Sequence, residues 1–283
     1  MIVITGASGQ LGRLVIQSLL TKVPASRIVA AVRNPEKVSD LAALGVQVRR
    51  ADYTDSSSLD AAFQGAEKVL LISSSEVGQR QTQHRNAINA ARRAGVALLA
   101  YTSLLHADTS PLGLAGEHVA TEAWLGQSGV PFVLLRNGWY TENYLASIPP
   151  ALQHGAFIGS AGEGRIASAA RADYAEAAAV ALTTPEQSGK VYELAGDGAY
   201  TLAGFAAELS RQSGKAIPYV DMSENEYKSA LVSAGLPEPI AGLLADSDSG
   251  ASRGGLFDDT RQLSALIGRP TTPLAVSMRA ALA

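Results

Sequence analysis

The chain has 283 residues, no cysteine, a formal net charge of −3, and 17% charged against 47% hydrophobic residues. The absence of cysteine excludes disulfides, thiolate nucleophiles and zinc sites with cysteine ligands. The slight acidity and the scattered basic residues argue against a nucleic-acid-binding surface, and no apolar run approaches the roughly 18 residues of a membrane helix.

The first half of the chain alternates short apolar runs with longer amphipathic ones. Leu11, Leu14, Val15 and Leu19, for example, recur at helical spacing. Helices that alternate with fully apolar strands are typical of a parallel sheet covered on both faces. We therefore predict an α/β fold, a Rossmann-type doubly wound parallel sheet. Its predicted strands are Ile2–Ile4, Ile28–Val32, Val46–Val48, Lys68–Ile72, Ala97–Tyr101 and Phe132–Leu135.

The alternation of predicted strands and helices ends after Trp139, where prolines and glycines interrupt the apolar pattern. An alanine-rich helix is predicted from Ala172 to Leu182 and a strand from Lys190 to Leu194, and residues 201–282 read mostly as helices. We expect a dinucleotide-binding Rossmann domain over residues 1–140. A smaller, mainly helical, substrate-binding C-terminal lobe is expected over residues 141–283, with some segments shared with the first sheet.

Three glycines follow the first predicted strand directly and open the first helix. Gly6, Gly9 and Gly12 stand at the spacing G-x-x-G-x-x-G. In a dinucleotide fold these positions allow a tight turn, a close approach of backbone to a pyrophosphate, and close packing of the helix. We expect the cofactor to bind at the helix N-terminus; a glycine-rich turn without a ligand is the alternative. The candidate cofactor residues here are Gly6, Ala7, Ser8, Gly9, Gln10, Leu11 and Gly12.

The end of the second strand indicates which dinucleotide binds. Arg33 stands where NAD-binding proteins usually carry an acidic residue, and a guanidinium can pair with the 2′-phosphate of NADP. This favours NADP(H), with a solvated surface arginine as the alternative.

Polar residues also follow the third and fourth strands. Asp52 can accept from the adenine amino group or cap the helix near Ser56, and the two roles are equally open. Ser73, Ser74 and Ser75 can line the nicotinamide half of the cofactor or form an ordinary loop.

Several catalytic motifs are absent. None of the tyrosines has a lysine four residues later, and residues 69–189 contain no lysine, which excludes the tyrosine–lysine pair of short-chain alcohol dehydrogenases. The four histidines lack metal-ligand spacing, so no metal site is expected. The G-x-S-x-G elbow and the phosphate-binding G-x-x-x-x-G-K loop are also missing.

Several segments together resemble the NmrA-like group of atypical short-chain dehydrogenases, and within it the bacterial NADPH:quinone oxidoreductases of type 2. They are Thr5–Gly12, Arg33–Pro35, Ala51–Tyr53, Ile72–Arg80, Leu135–Asn143 and Gly254–Asp259. The resemblance spans nearly the whole chain. It implies an NADPH-dependent quinone reductase that uses neither flavin nor metal. It also adds Asn137, Gly138, Trp139, Tyr140, Thr141 and Glu142 to the cofactor site.

A quinone is electron-poor, so hydride transfer to it depends mainly on orientation and on donors near the quinone oxygen. Candidate donors are Asn143, Gln83 and Tyr140, with His118 as a further proton donor. The alternatives are that Tyr140 and Trp139 are core aromatics and that His118 is an exposed helix residue; Tyr174 is expected to serve packing.

The sequence leaves three functions open. The first is a reductase of small-molecule quinones, the second an NADP(H)-binding, redox-sensing regulator of the NmrA type without turnover, and the third a reductase of another activated acceptor such as an enone or imine. No nucleic-acid partner and no membrane insertion are expected, and the oligomeric state is open. The N-terminal stretch lacks the basic start of an export signal, so we expect a cytoplasmic location.

Overall fold

The computed structural model describes residues 1–283, which form two compact units built from discontinuous segments. The first unit comprises residues 1–107, 116–137 and 171–192, and the second comprises residues 108–115, 138–170 and 193–283. No helix is long and apolar enough to cross a lipid bilayer.

The strands are β1 (Ile2–Thr5), β2 (Ile28–Val32), β3 (Gln47–Arg50), β4 (Lys68–Leu71), β5 (Leu98–Leu104), β6 (Phe132–Asn137), β7 (Phe157–Gly159), β8 (Val191–Leu194) and β9 (Tyr219–Asp221). The helices up to residue 183 are α1 (Gln10–Leu20), α2 (Ser39–Ala43), α3 (Ser56–Phe63), α4 (Arg80–Ala94), α5 (Ala115–Ser128), α6 (Thr141–Leu145), α7 (Ile148–His154) and α8 (Arg171–Thr183). The later helices are α9 (Leu202–Ser213), α10 (Glu224–Ser233), α11 (Glu238–Ser252), α12 (Gln262–Ile267) and α13 (Leu274–Leu282).

The main sheet has the strand order β3-β2-β1-β4-β5-β6-β8, and the pairs from β3 to β6 are parallel. The chain adds strands outward from β1 in one direction and then returns to add β4 on its other side. This reversal is the switch point at which open α/β sheets bind ligands. The predicted Rossmann-type α/β fold is confirmed.

Helices cover both faces of this sheet because successive side chains of a buried strand point to opposite faces. On one face, alternate residues such as Val3, Val69 and Leu99 belong to one buried cluster with Phe63 of α3 and Ile88 of α4. On the other face α1 packs against α8. Helix α8 is alanine-rich and buried on most of its surface, so small side chains allow this close packing.

Strands β5 and β6 run further than their apolar runs predicted, to Leu104 and Asn137. Two of the added polar residues, Ser103 and Arg136, are buried but paired. Glu122 of α5 accepts from the Ser103 hydroxyl at 2.5 Å and from the Arg136 guanidinium at 2.7 Å. A buried polar group that keeps its hydrogen bonds does not end a strand, and apolar patterning alone cannot show this pairing.

The second unit combines the small parallel sheet β7-β9 with helices α6, α7 and α9–α13. Its core is aromatic: the rings of Phe157 and Phe205 lie 4.7 Å apart, and the ring of Tyr144 lies 6.1 Å from that of Phe205. The short strand β9 was not predicted, because three residues give too little alternation to detect.

A carboxyl group lies buried beside this aromatic core. The Tyr144 hydroxyl donates to Asp248 Oδ1 at 2.7 Å, and the backbone N–H of Ser160 donates to Oδ2 at 3.1 Å. Burial raises the pKa of Asp248 to about 6, against an ordinary value of 3.8.

We expect Asp248→Asn to change how the free energy of unfolding depends on pH. Because the folded-state pKa lies above the unfolded value, the folded chain retains a proton that the unfolded chain releases, so this carboxyl lowers stability progressively between about pH 4 and 6. Two pKa units correspond to about 3 kcal/mol. Asparagine does not titrate. In urea unfolding, the free energy of unfolding of the variant relative to that of the parent should therefore rise by about that amount from pH 4 to pH 7.

The loss of the bond from Ser160 adds a constant offset that leaves this slope unchanged. Asp259→Asn, at an exposed carboxyl, is the control and should track the parent at every pH. A difference between Asp248→Asn and the parent that stays constant with pH would contradict the assignment.

Candidate active site

A crevice of about 260 Å³ opens in the first unit at the carboxyl ends of β1–β4. These four strands are neighbours in the sheet, and the crevice therefore lies at the switch point between β1 and β4. It is lined by Thr5, Gly6, Ser8, Gly9, Ala31, Val32, Arg33, Ala51, Asp52, Tyr53, Ile72, Ser73, Ser74, Ser75, Glu76 and Gln83.

The floor of the crevice is the glycine turn. Gly6 has a φ of +58°, a conformation that L side chains rarely adopt, and the N–H of Gly9 donates to the carbonyl of Gly6 at 2.9 Å. A Cβ on Gly12 would lie 2.6 Å from the Gly6 oxygen and 2.7 Å from the Ala7 Cα. Helix α1 can therefore start directly on the turn only because residue 12 has no side chain.

The N-terminus of α1 carries no internal cap. Its N-cap residue is Gly9, no side chain bonds the first amides, and the first turn has no acidic residue. The first N–H groups of a helix have no intrahelical acceptor, and the helix dipole adds partial positive charge there. This end of α1 can bind an anion such as a phosphate.

Tyr53 fixes the wall between β1 and β4. Its hydroxyl lies 2.5 Å from Thr5 Oγ1 and donates to the Ile72 carbonyl at 2.7 Å. Desolvation raises the pKa of Tyr53 well above its usual range, so the hydroxyl stays protonated as a donor. The N–H of Ile72 donates in turn to Thr5 Oγ1 at 3.0 Å.

Charged groups lie at the Arg33 side of the crevice. The Arg33 guanidinium lies 2.6 Å from Glu76 Oε1, and Gln83 Nε2 donates to Glu76 Oε2 at 2.7 Å. Asp52 forms a local turn instead of a helix cap, because its Oδ1 accepts from the backbone and side chain of Thr54. The backbone bond from Thr54 is the largest cause that lowers the pKa of Asp52.

The segment Ser73–Ser75 after β4, here called the serine segment, is positioned by hydrogen bonds to buried polar groups. The N–H of Ser73 donates to Thr102 Oγ1 at 2.9 Å, the N–H of Ser74 donates to His84 Nε2 at 3.0 Å, and Arg80 Nε donates to the Ser74 carbonyl at 2.6 Å. Since Nε2 of His84 accepts, its proton is on Nδ1, which lies 2.9 Å from Thr121 Oγ1. Burial lowers the pKa of His84 to about 3, so the ring is neutral at physiological pH.

Comparison with known proteins agrees with this geometry. The family model described as NAD(P)H-binding matches residues 6–185. Quinone oxidoreductase 2 of Escherichia coli strain K12 is 64% identical over 98% of this chain and 97% of its own length. The chain belongs to the NAD(P)H-binding family that includes quinone oxidoreductase 2.

Solved structures of family members superpose closely. The Escherichia coli NADPH-dependent quinone oxidoreductase, crystallised with NADPH, has a TM-score of 0.98 at 63% identity, and the match covers 100% of both chains. The triphenylmethane reductase of Citrobacter sp., crystallised with NADP(H), has a TM-score of 0.95 at 40% identity, covering 99% of this chain and 100% of that one.

In this NAD(P)H-binding chain, some of the predicted site residues lie together in the crevice of the first unit. The predicted residues that line the crevice are Gly6, Ser8, Gly9, Arg33, Ser73, Ser74, Ser75 and Gln83. Ala7, Gln10, Leu11 and Gly12 form the turn and the start of α1 without lining it. Asn137 ends β6 in the first unit, whereas Gly138, Trp139, Tyr140, Thr141, Glu142 and Asn143 belong to the second unit. The roles of residues 137–143 stay predictions.

Two side chains have surroundings that the sequence did not indicate. His118 is buried, not exposed, and lies 2.7 Å from the Tyr101 hydroxyl through Nδ1. Burial lowers the pKa of His118 to about 3, so the ring is neutral at physiological pH and has no imidazolium proton to give to a substrate. Gln83 Nε2 donates a hydrogen bond to Glu76, whereas the buried Oε1 of Gln83 has no partner. The atom left for a ligand is therefore an acceptor, which can bind a hydroxyl or amide donor.

Sequence reasoning also missed Tyr53 and Glu76 as lining residues. The alternative of Asp52 as a helix cap is wrong, because Asp55 caps α3 by accepting from the N–H groups of Ser57 and Ser58. Asp55 stands one residue before the first helical position and was the better candidate by that signal. Tyr174 is buried, as expected of a packing residue.

We expect Gly12→Ala to abolish NADPH binding and to destabilise the chain by about 1–3 kcal/mol, because the new methyl group collides with backbone that cannot move aside. Calorimetric titration and urea unfolding measure the two effects. Gly126→Ala is the matched control, since a Cβ at this helical glycine meets nothing within 4 Å. It should gain about 0.5–1 kcal/mol from helix propensity and bind normally. Equal behaviour of the two variants would show that α1 does not depend on its contact with the turn.

We expect His84→Leu to lower the free energy of unfolding by about 1–3 kcal/mol and to weaken NADPH binding, because the N–H of Ser74 loses its acceptor. Urea unfolding and calorimetric titration report on the two losses. The control is His154→Leu at an exposed histidine of α7, where the change should stay within about 0.5 kcal/mol. Unchanged NADPH affinity in His84→Leu would disconnect the serine segment from the cofactor.

Proposed function

We propose that this chain transfers a hydride from NADPH to quinones without flavin or metal. One observation carries the proposal: an uncapped helix N-terminus and an arginine guanidinium line one crevice at the switch point of a chain 64% identical to quinone oxidoreductase 2. The uncapped amides and the guanidinium can bind the phosphates of a dinucleotide. The name of the relative, quinone oxidoreductase 2, indicates that the hydride acceptor is a quinone.

Each part of the crevice fits one part of NADPH. The free amides of α1 bind the pyrophosphate, which approaches closely because Gly6 and Gly9 present no side chain. Arg33 pairs with the 2′-phosphate. Ser73, held by Thr102, Ser74, held by His84, and the adjacent Ser75 line the nicotinamide half. Bound NADPH supplies the hydride.

The protein contributes orientation and hydrogen bonding to the reaction. A quinone needs little acid assistance, so the chain must hold donor and acceptor ring face to face and exclude water. We assign Tyr140 and Asn143 as donors to the quinone oxygen, where they stabilise developing negative charge. Gln83, which lines the crevice of the first unit, is assigned to bind a ligand donor through its unpartnered Oε1. The second unit contains Tyr140 and Asn143 and is thus the proposed source of substrate contacts.

The predicted location of the protein remains the cytoplasm.

Two other functions make different predictions. A regulator of the NmrA type binds NADPH without turnover; the identity to an enzyme over nearly the whole chain favours turnover instead. Reduction of another activated acceptor is favoured by the likeness to triphenylmethane reductase. Steady-state oxidation of NADPH with benzoquinone, menadione, an enone, an aldehyde and a triphenylmethane dye separates the three. A blank without protein is essential because quinones react slowly with NADPH unaided.

We expect the parent chain to turn over NADPH with quinones, and Arg33→Ala to raise the Kd for NADPH about 10- to 100-fold while changing that for NADH little. The range corresponds to about 1.4–2.8 kcal/mol, close to the usual contribution of a hydrogen bond to a charged group. Arg27→Ala, which removes an exposed arginine paired with Glu67, is the control and should match the parent. Micromolar binding of NADPH with no turnover of any acceptor would refute the enzyme and leave the regulator.

A further inference from the structure

Arg33, the residue assigned to the 2′-phosphate, is already engaged by an anion of the chain. Its guanidinium lies 2.6 Å from Glu76 Oε1, and both residues line the crevice. The two side chains reach each other from segments that follow different strands, β2 and β4, across 43 positions of sequence. A carboxylate presents the same kind of oxygen acceptor to a guanidinium as a phosphate does.

The two partners differ in how firmly they are held. Glu76 is anchored: Gln83 Nε2 donates to its Oε2 at 2.7 Å, and its own N–H donates to Ser74 Oγ at 3.1 Å. The Arg33 side chain is 67% exposed. An exposed ion pair contributes little free energy because water and salt screen it. The guanidinium can therefore leave Glu76 easily, whereas the carboxylate stays at the crevice.

We propose that Glu76 is an internal competitor for the 2′-phosphate: it occupies Arg33 in the free chain and sets how strongly the site prefers NADPH over NADH. The inference rests on the proposed cofactor. A 2′-phosphate has to take Arg33 from Glu76 and then lies near a carboxylate of like charge, so part of its binding free energy is lost. A ligand without a 2′-phosphate leaves the pair intact and incurs no such loss.

Removing the charge of Glu76 tests this directly. Titration calorimetry of the whole chain with adenosine 2′,5′-bisphosphate and with 5′-AMP isolates the 2′-phosphate without any turnover. We expect Glu76→Gln to bind the bisphosphate up to about fivefold more tightly than the parent, the equivalent of one exposed ion pair, and to bind 5′-AMP equally well. Because the carbonyl oxygen of the introduced amide can still accept from Gln83, the serine segment keeps its support.

The control is Glu67→Gln, which removes a glutamate from another exposed ion pair, with Arg27, at 3.0 Å. It makes the same charge change away from the crevice and should bind both ligands as the parent does. In the Arg33→Ala background, Glu76→Gln should lose most of its effect, since the competition requires the guanidinium.

The outcomes separate this inference from the proposed function. If the parent does not bind the bisphosphate more tightly than 5′-AMP, or if Arg33→Ala leaves that preference unchanged, the NADPH assignment itself fails. If Arg33→Ala abolishes the preference but Glu76→Gln binds the bisphosphate equally or more weakly, the competition is wrong and Glu76 is a positioning residue for Arg33.

Discussion

The candidate site depends on one close contact between backbone segments. A side chain at residue 12 would meet the Gly6 oxygen and the Ala7 Cα at distances that real Cβ atoms do not reach. Its absence lets α1 begin on the turn that ends β1, which directs the uncapped end of the helix at the switch point of the sheet. Displacing that helix end would remove the uncapped amides to which the pyrophosphate is proposed to bind.

Most residues of the remaining walls are uncharged, and hydrogen bonds position several of them. His84 holds the serine segment as a neutral acceptor, and Tyr53 ties β1 to the end of β4 as a protonated donor. Two of the chain's four histidines, His84 and His118, are thus structural, with pKa values lowered to about 3 by burial. With no cysteine and no lysine between residues 69 and 189, the site has few reactive side chains. Such a site suits chemistry that the cofactor carries, with the protein supplying position and hydrogen bonds.

The sequence predicts most of the fold because buried parallel strands form continuous apolar runs and each strand is followed by a helix. It also predicts the glycine turn and Arg33, since both stand at fixed offsets from a strand end. It does not predict Glu76, whose partner is 43 positions away, or Tyr53, whose side chain bonds Thr5 and Ile72. The polar ends of β5 and β6 were missed for the same reason, because Glu122 of helix α5 pairs with a residue from each of the two strands. Pairings between distant segments leave no local pattern.

A reductase must release its oxidised cofactor in every catalytic cycle. This requirement explains why a charged competitor beside a phosphate-binding arginine is useful. The free amides of α1 are permanent, since no side chain competes for them. Arg33 is different, because Glu76 can take the guanidinium back when the ligand leaves. In the proposed site, one phosphate is thus bound by fixed backbone amides, and the other is bound by an arginine for which an internal carboxylate competes. Very tight binding at both would slow release, and when release limits turnover, a weaker second contact raises the rate.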